Sequence, residues 1–176
     1  TLNKYLKKIC FSIEELEVAS IERIYSKILK VIKNKGNIIF AGNGGSYATS
    51  SHIAGDYQNC FSHLGVSFIS IGDNFCSVSA ISNDLEYDEA ISQLTIPLTK
   101  PNIDNLIFLF SGSGNSKNVI NVAKSLSELD SNIYKFSSIP ISAYGGGKLP
   151  HICDDSISFS VNDMEVAEDL KMILFH

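Results

Sequence analysis

Between Leu2 and Ile32 apolar residues return every three or four positions, among them Leu2, Tyr5, Ile9, Ile13, Leu16, Ile24, Ile28 and Ile32. That period predicts one or two amphipathic helices at the start of the chain. Ser12-Ile13-Glu14-Glu15 reads as a capping box that restarts the helix, and Asn34-Lys35-Gly36 as its stop. Beyond Gly36 the period changes. Short β-rich runs at Ile38 to Ala41, Val66 to Ile71 and Leu106 to Phe110 alternate with helical stretches at 46–60, 74–95 and 117–129. Such alternation predicts an α/β fold with three αβα layers, in which helices cover both faces of a five-stranded parallel sheet of flavodoxin-like order 2-1-3-4-5. The fourth strand falls on either Ile133 to Phe136 or Ile139 to Ser142, where Pro140 lacks a ladder donor. The fifth, Ser156 to Val161, alternates as a half-exposed edge does, and Asp163 caps a last helix running through Leu174. With no repeat or linker, residues 1–176 form one domain: a helical segment 1–36 and an α/β core 37–176.

Composition narrows the class of partner. Of 176 residues 44% are apolar and 19% charged, which is enough to build a core and excludes a mainly disordered chain. The net charge of -5, with no basic run longer than Lys7-Lys8, excludes nucleic acid as the expected ligand. No apolar run approaches the roughly 18 residues of a membrane span, and TLNKYLKKIC lacks the apolar core of a secretory signal. The chain opens at Thr1 instead of Met, as a trimmed chain does. Cys10, Cys60, Cys76 and Cys153 are scattered without C-x-x-C spacing, so they read as buried thiols in a reducing cytosol.

Two loops carry the chemistry. Ala41-Gly42-Asn43-Gly44-Gly45-Ser46 sits where the first strand turns into a helix, so free amides and the helix dipole favour an anion there. Ser111-Gly112-Ser113-Gly114-Asn115-Ser116 occupies the same place after the third strand and is dense in hydroxyl donors. In the order 2-1-3-4-5 these two loops meet at the topological switch point. Taken singly, each is equally well a plain polar turn; two on one crevice point to a ligand. Only Lys117 lies near them, which suits one phosphate monoester better than a triphosphate with Mg²⁺. A Rossmann dinucleotide site fits poorly, because Tyr47 stands where a small residue belongs and Asp73 lies 31 positions after Gly42. No nucleotide cofactor is expected.

The sequence AGNGGS, followed by His52-Ile53-Ala54-Gly55-Asp56, Ser82-Asn83-Asp84, SGSGNSKNV, GGGK and a terminal E-x7-H, resembles the phosphoheptose isomerases of the sugar isomerase (SIS) family. The resemblance covers about residues 37–176. It implies a cytoplasmic homotetramer with sites between subunits, converting sedoheptulose 7-phosphate to D-glycero-D-manno-heptose 7-phosphate for bacterial surface heptose such as lipopolysaccharide. Carried over by position, Asn43, Gly44, Gly45, Ser46, Asn83, Asp84 and Glu168 line the substrate, while Ser111, Gly112, Ser113 and Ser116 hold its phosphate. Asp56 and His176 fall at the acid/base pair. Some members bind zinc through the positions of His52, Asp56, Glu168 and His176. No membrane or nucleic-acid partner is implied.

The chemistry needs those residue types. Ketose-aldose interconversion moves a proton between neighbouring carbons through an enediol, for which a carboxylate and an imidazole are suited. His52 and Asp56, four apart, share a helix face; without the resemblance they read as a surface pair. Glu168 and His176 are eight apart, roughly 12 Å along a helix, so a four-ligand site needs neighbouring subunits, or one of the two acts elsewhere. Three departures stand out: Asp56 replaces the family's Glu and is shorter by about 1.5 Å, Glu168 replaces Gln, and Gly112 replaces Thr. Two other readings stay open, an isomerase of another phosphosugar and a non-catalytic SIS protein that binds sugar phosphate for regulation.

Overall fold

A computed structural model describes all residues, 1–176. Two helices, α1 (Leu2–Glu14) and α2 (Val18–Lys33), precede the core. The core runs β1 (Asn37–Gly42), α3 (Gly45–Phe61), β2 (Ser67–Ser70), α4 (Phe75–Asp84), α5 (Tyr87–Leu98), β3 (Asp104–Phe110), α6 (Lys117–Ser127), β4 (Lys135–Ser142), β5 (Ile157–Ser158) and α7 (Met164–Phe175). Every strand pair is parallel and the order is β2-β1-β3-β4-β5, as the alternation predicts. No helix is long and apolar enough to cross a membrane.

The period of two along the strands divides the core. Ile38 and Phe40 of β1 with Leu106, Phe108 and Phe110 of β3 face α2, α3 and α7, whereas Ile39, Ala41, Ile107 and Leu109 face α5 and α6. Phe175 of α7 is wedged into the first layer, its ring edge-on to Phe108 at 4.9 Å and to Phe40 at 5.8 Å. The Tyr57 hydroxyl of α3 donates to the Phe175 carbonyl, and burial raises the Tyr57 pKa. These contacts fix the end of α7 against the middle of α3, which positions His176. At its other end α7 is tied to α1: Lys8 pairs with Asp163, and the Tyr5 hydroxyl donates to Asp169, which raises the tyrosine pKa to about 12.

Four expectations need correction. Ser12 does not restart a helix; it lies on the buried face of α1, and α2 begins six residues later, at Val18 behind Glu17. A single strand, Lys135–Ser142, takes in the end of the first candidate for the fourth strand and all of the second, while Ile133 and Tyr134 precede it. Pro140 is tolerated because Ser138 and Ser142 on the same edge bond to Asp154 and Phe159, so the missing N–H faces β5 just before its pairing starts at Ile157. The fifth strand is two residues long rather than six, since Val161 N–H turns back onto the Phe159 carbonyl at 2.8 Å and ends the ladder. Cys10, Cys60 and Cys76 are exposed and only Cys153 is partly buried.

Candidate active site

At the carboxyl edge of the sheet β1 and β3 lie side by side, and the two glycine-serine loops leave them for α3 and α6. The loops are braced to each other. Asn43 and Asn118 exchange two amide hydrogen bonds at 2.8 Å, and the Tyr87 hydroxyl donates to Asn43 Oδ1 at 2.8 Å. The Asn43 side chain is thereby committed within the protein, so the loop presents backbone amides to the crevice. In the second loop Ser111 and Ser116 share a hydrogen bond at 3.0 Å, and Ser113 Oγ accepts from the Asn115 amide at 3.2 Å. Ser116 caps α6 without using its side chain on the helix, which leaves the amides of that first turn unclaimed by it. Beside Gly42, Asn43 and Gly44 opens a cavity of about 280 Å³ lined also by Tyr47, Phe75 and Tyr87. Tyr47 packs on Gly72 and donates to Asp73 at 3.1 Å.

A second set of groups follows the seam between α3 and α7. Gly45, His52 and Asp56 are spaced by 7 and 4 residues, so they fall within about 20° of one stripe. The α7 residues Glu168 and His176 meet that stripe at its two ends. The Glu168 carboxylate lies against Gly45 so closely that a Cβ there would collide with it unless the glutamate side chain shifted. Three residues on, Lys171 is fully buried and its Nζ donates to Ser46 Oγ at 2.8 Å. Burial lowers its pKa to about 8, against the opposing pull of Glu168.

At the lower end His52 Nε2 is 3.1 Å from His176 Nε2 and 3.2 Å from Asp56 Oδ2, and His176 Nε2 is 3.9 Å from that oxygen. All three side chains are exposed, with ligand atoms within 4.8 Å of one another. A tetrahedral zinc with bonds of about 2.0–2.1 Å holds its ligand atoms about 3.3 Å apart, so this donor set fits such an ion. Glu168 does not join it within the chain; its carboxylate sits at Gly45, two turns away.

Of the residues expected from the sequence, the structure thus groups Asn43, Gly44, Gly45, Ser46, Ser111, Gly112, Ser113 and Ser116 around one crevice and His52, Asp56 and His176 in one cluster. Asn83 and Asp84 close α4 just before Tyr87; they are exposed, Asn83 donates to Asp84 at 3.0 Å, and neither bonds to another of these residues. Three residues escaped the sequence reading: Tyr87, Asn118 and Lys171. Lys171 had a signal, being a charged residue inside an apolar helical run between Leu170 and Met172, whereas Asn118 follows Ser116-Lys117 at the polar start of α6 and had none.

The SIS domain family model matches residues 2–138. A probable phosphoheptose isomerase of Thermoplasma acidophilum is 27% identical over 175 residues, covering 98% of this chain and 92% of that protein. A phosphoheptose isomerase of Helicobacter hepaticus is 27% identical over 159 residues, covering 89% and 78%. Among solved structures, a phosphoheptose isomerase from Neisseria gonorrhoeae superposes with a TM-score of 0.87 at 21% identity over 99% of this chain and 90% of that one. The Vibrio vulnificus NanR protein complexed with ManNAc-6P gives 0.61 at 14% identity, covering 99% and 57%. At these identities the structural likenesses establish the fold.

Proposed function

Because the chain belongs to the SIS domain family, we propose that it is a phosphosugar aldose-ketose isomerase that converts sedoheptulose 7-phosphate to D-glycero-D-manno-heptose 7-phosphate. The observation that carries this reading is the cluster of Asp56 with His52 and His176 on the seam that starts at the two anion loops. The names of the most similar relatives point to the same substrate.

The phosphate takes the amides of residues 43–46 and the hydroxyls of Ser111, Ser113 and Ser116. Glu168, whose carboxylate lies beside Gly45 of the first loop, bonds to sugar hydroxyls in this reading. Asp56 is about 16 Å along α3 from the loops of its own copy, so it serves a substrate in a site shared between copies, where it removes a proton from C1 of the ketose while O2 is protonated, which gives the 1,2-enediol. Return of a proton to C2 and loss of the O1 proton give the aldehyde, so no atom is gained or lost. His176 is the partner that gives and takes the oxygen-bound proton. His52, Asp56 and His176 are also the side chains that would hold zinc, which would supply Lewis-acid polarisation of the sugar oxygens. A partner copy would bring Glu168 or its equivalent to that set.

The working form is a cytoplasmic homotetramer with sites between copies. Support for assembly comes from the apolar side chains left exposed on α1 and α2, with Leu2 70%, Val18 65% and Phe11 54% accessible. Light scattering at micromolar concentration checks it, and a monomer would remove any shared site. The activity itself is tested by incubating the protein with sedoheptulose 7-phosphate, with and without chelator, and following formation of the aldose. Turnover is expected. Binding of the sugar phosphate with no turnover would make the protein a sugar-phosphate-binding regulator instead.

A further inference from the structure

Lys171 is the only lysine of the chain that is buried, and it is buried completely. Other lysines near the core keep solvent and a carboxylate: Lys8 with Asp163, Lys27 with Asp155, Lys30 with Asp104 and Lys117 with Asp88. Lys171 has no carboxylate within salt-bridge distance. Its single hydrogen bond goes to Ser46 Oγ at 2.8 Å, which leaves two of three N–H donors unused. Burying an ammonium on those terms is costly, and a Met or Leu would pack the same place more cheaply. A function for the charge explains its presence better than packing does.

The partner it has chosen tells what that function is. Ser46 stands in the first turn of α3, over Gly42 at the end of β1 and beside the Phe110 carbonyl at the end of β3. It is therefore inside the crevice where the two anion loops meet. An ammonium only donates, so Ser46 Oγ is held as an acceptor on that side and its own proton must point elsewhere. The hydroxyl makes no other side-chain hydrogen bond in the chain. Both residues are buried, Ser46 at 4% and Lys171 at 0%, so of the two only the serine keeps any accessible surface.

We propose that Lys171 is a positioning residue of the phosphosugar site: it fixes Ser46 as a hydrogen-bond donor to a substrate oxygen and places a buried positive charge beneath the amides that bind the anion. This deepens the isomerase reading and rests on it for the substrate. The site then does have a cation, one turn behind its surface, although neither loop supplies a buried one. Burial without a counter-ion also explains the lowered pKa, about 8, which still leaves the group mostly protonated at neutral pH.

The test is a mutant cycle of Lys171→Met, Ser46→Ala and the double variant, with Kd for sedoheptulose 7-phosphate by calorimetry and KM and kcat by turnover. Lys171→Gln serves as a second replacement, and thermal melting verifies that each variant is folded. Lys171→Met is expected to raise Kd and KM about tenfold, the scale of one charge-assisted hydrogen bond, with a smaller change in kcat. Because Lys171 acts in part through Ser46 and in part by its charge, the double variant should lose more than Ser46→Ala alone but less than the product of the two single losses. Folded Lys171 variants with wild-type Kd and KM, or losses that multiply in the double variant, would overturn the proposal. If the wild type binds the sugar phosphate without turning it over, while Lys171→Met still weakens binding, the isomerase reading fails and the role of Lys171 stands. If the wild type neither binds nor turns it over, both fall.

Discussion

Gly112 and Met164 share one space: a Cβ on the glycine would run into the sulfur of the methionine. Gly112 belongs to the serine loop after β3, and Met164 is the first residue of α7, so the contact is where the last helix meets the crevice between the two loops. The absence of a hydroxyl at position 112 is thus matched by a larger neighbour across the crevice.

Gly112→Thr should therefore destabilise the protein by about 1 kcal/mol, the low end of overpacking, because the end of the part-exposed Met164 side chain can shift. Met164→Ala should relieve most of that cost in the double variant, since the two sites compete for the same volume. Urea unfolding of the four proteins measures the coupling. Additive losses would mean that the loop moves aside without meeting Met164.

Asp56→Asn should lower kcat by about 10²–10⁴, the range of a lost acid/base group, while Kd for the sugar phosphate stays within about threefold. The two properties separate because the anion is held by the two loops, and Asp56 lies 11 residues further along α3 from Gly45, about 16 Å by helical rise. Isothermal calorimetry and a coupled assay on the same preparation decide it. Unchanged turnover would reduce His52 and Asp56 to a surface pair on a helix.

The architecture was legible because period is a local property: strands of β1 and β3 with apolar residues on both sides can only be covered on both faces, and glycine-serine loops after alternate strands meet at the switch point. Capping and strand ends were less legible. Ser12 has the residue type of a cap, but its place in the α1 stripe puts it inside, and β5 ends on a backbone turn at Phe159–Val161 that no side chain announces. The α3/α7 seam was hidden for another reason. His52, Asp56 and His176 were read by resemblance, yet only packing of Phe175 among Phe40, Phe108 and Phe110 decides that His176 meets His52 while Glu168 meets Gly45. Lys171 faces Ser46 through the same packing, which sequence spacing does not contain.

The tie between α1 and α7 should make stability fall in acid. The bond from Lys8 lowers the pKa of Asp163, helped by the Val166 amide and opposed by desolvation. For Asp155 burial acts to raise the value, but bonds from Arg23 and the Ser156 amide, with Lys27 nearby, lower it on balance. A depressed carboxylate contributes stability above its unfolded pKa, here 3.8, and loses it as pH drops through the folded value. Asp163→Asn keeps an N-cap for α7 but not the charge, so it should be less stable than wild type at pH 7 and converge with it below pH 3. A gap that does not change with pH, measured by denaturant unfolding, would show that Asp163 serves only as a cap.

Lys171 should leave the opposite mark, at alkaline pH. Its folded pKa is about 8 against an ordinary 10.5, so the folded state gives up this proton first. At pH 7 the ammonium is charged in both states and the folded protein bears the whole cost of burying it. Between pH 8 and 10.5 the unfolded chain holds more protons at this position, and the free energy of unfolding rises with pH. A displacement of about 2.5 pKa units corresponds to about 3 kcal/mol across that window. Lys171→Met removes the titration together with the bond to Ser46, whose loss costs about 1 kcal/mol. The variant should thus be more stable than wild type at pH 7 by about 2 kcal/mol, and the advantage should shrink steadily and reverse as pH approaches 10.5. Denaturant midpoints of both proteins at pH 7, 8, 9 and 10 give the slope. If the difference between them is flat with pH, or the wild type is the more stable at pH 7, then the buried lysine is neutral or well paired in the folded protein, and its charge is not being held in reserve for a ligand.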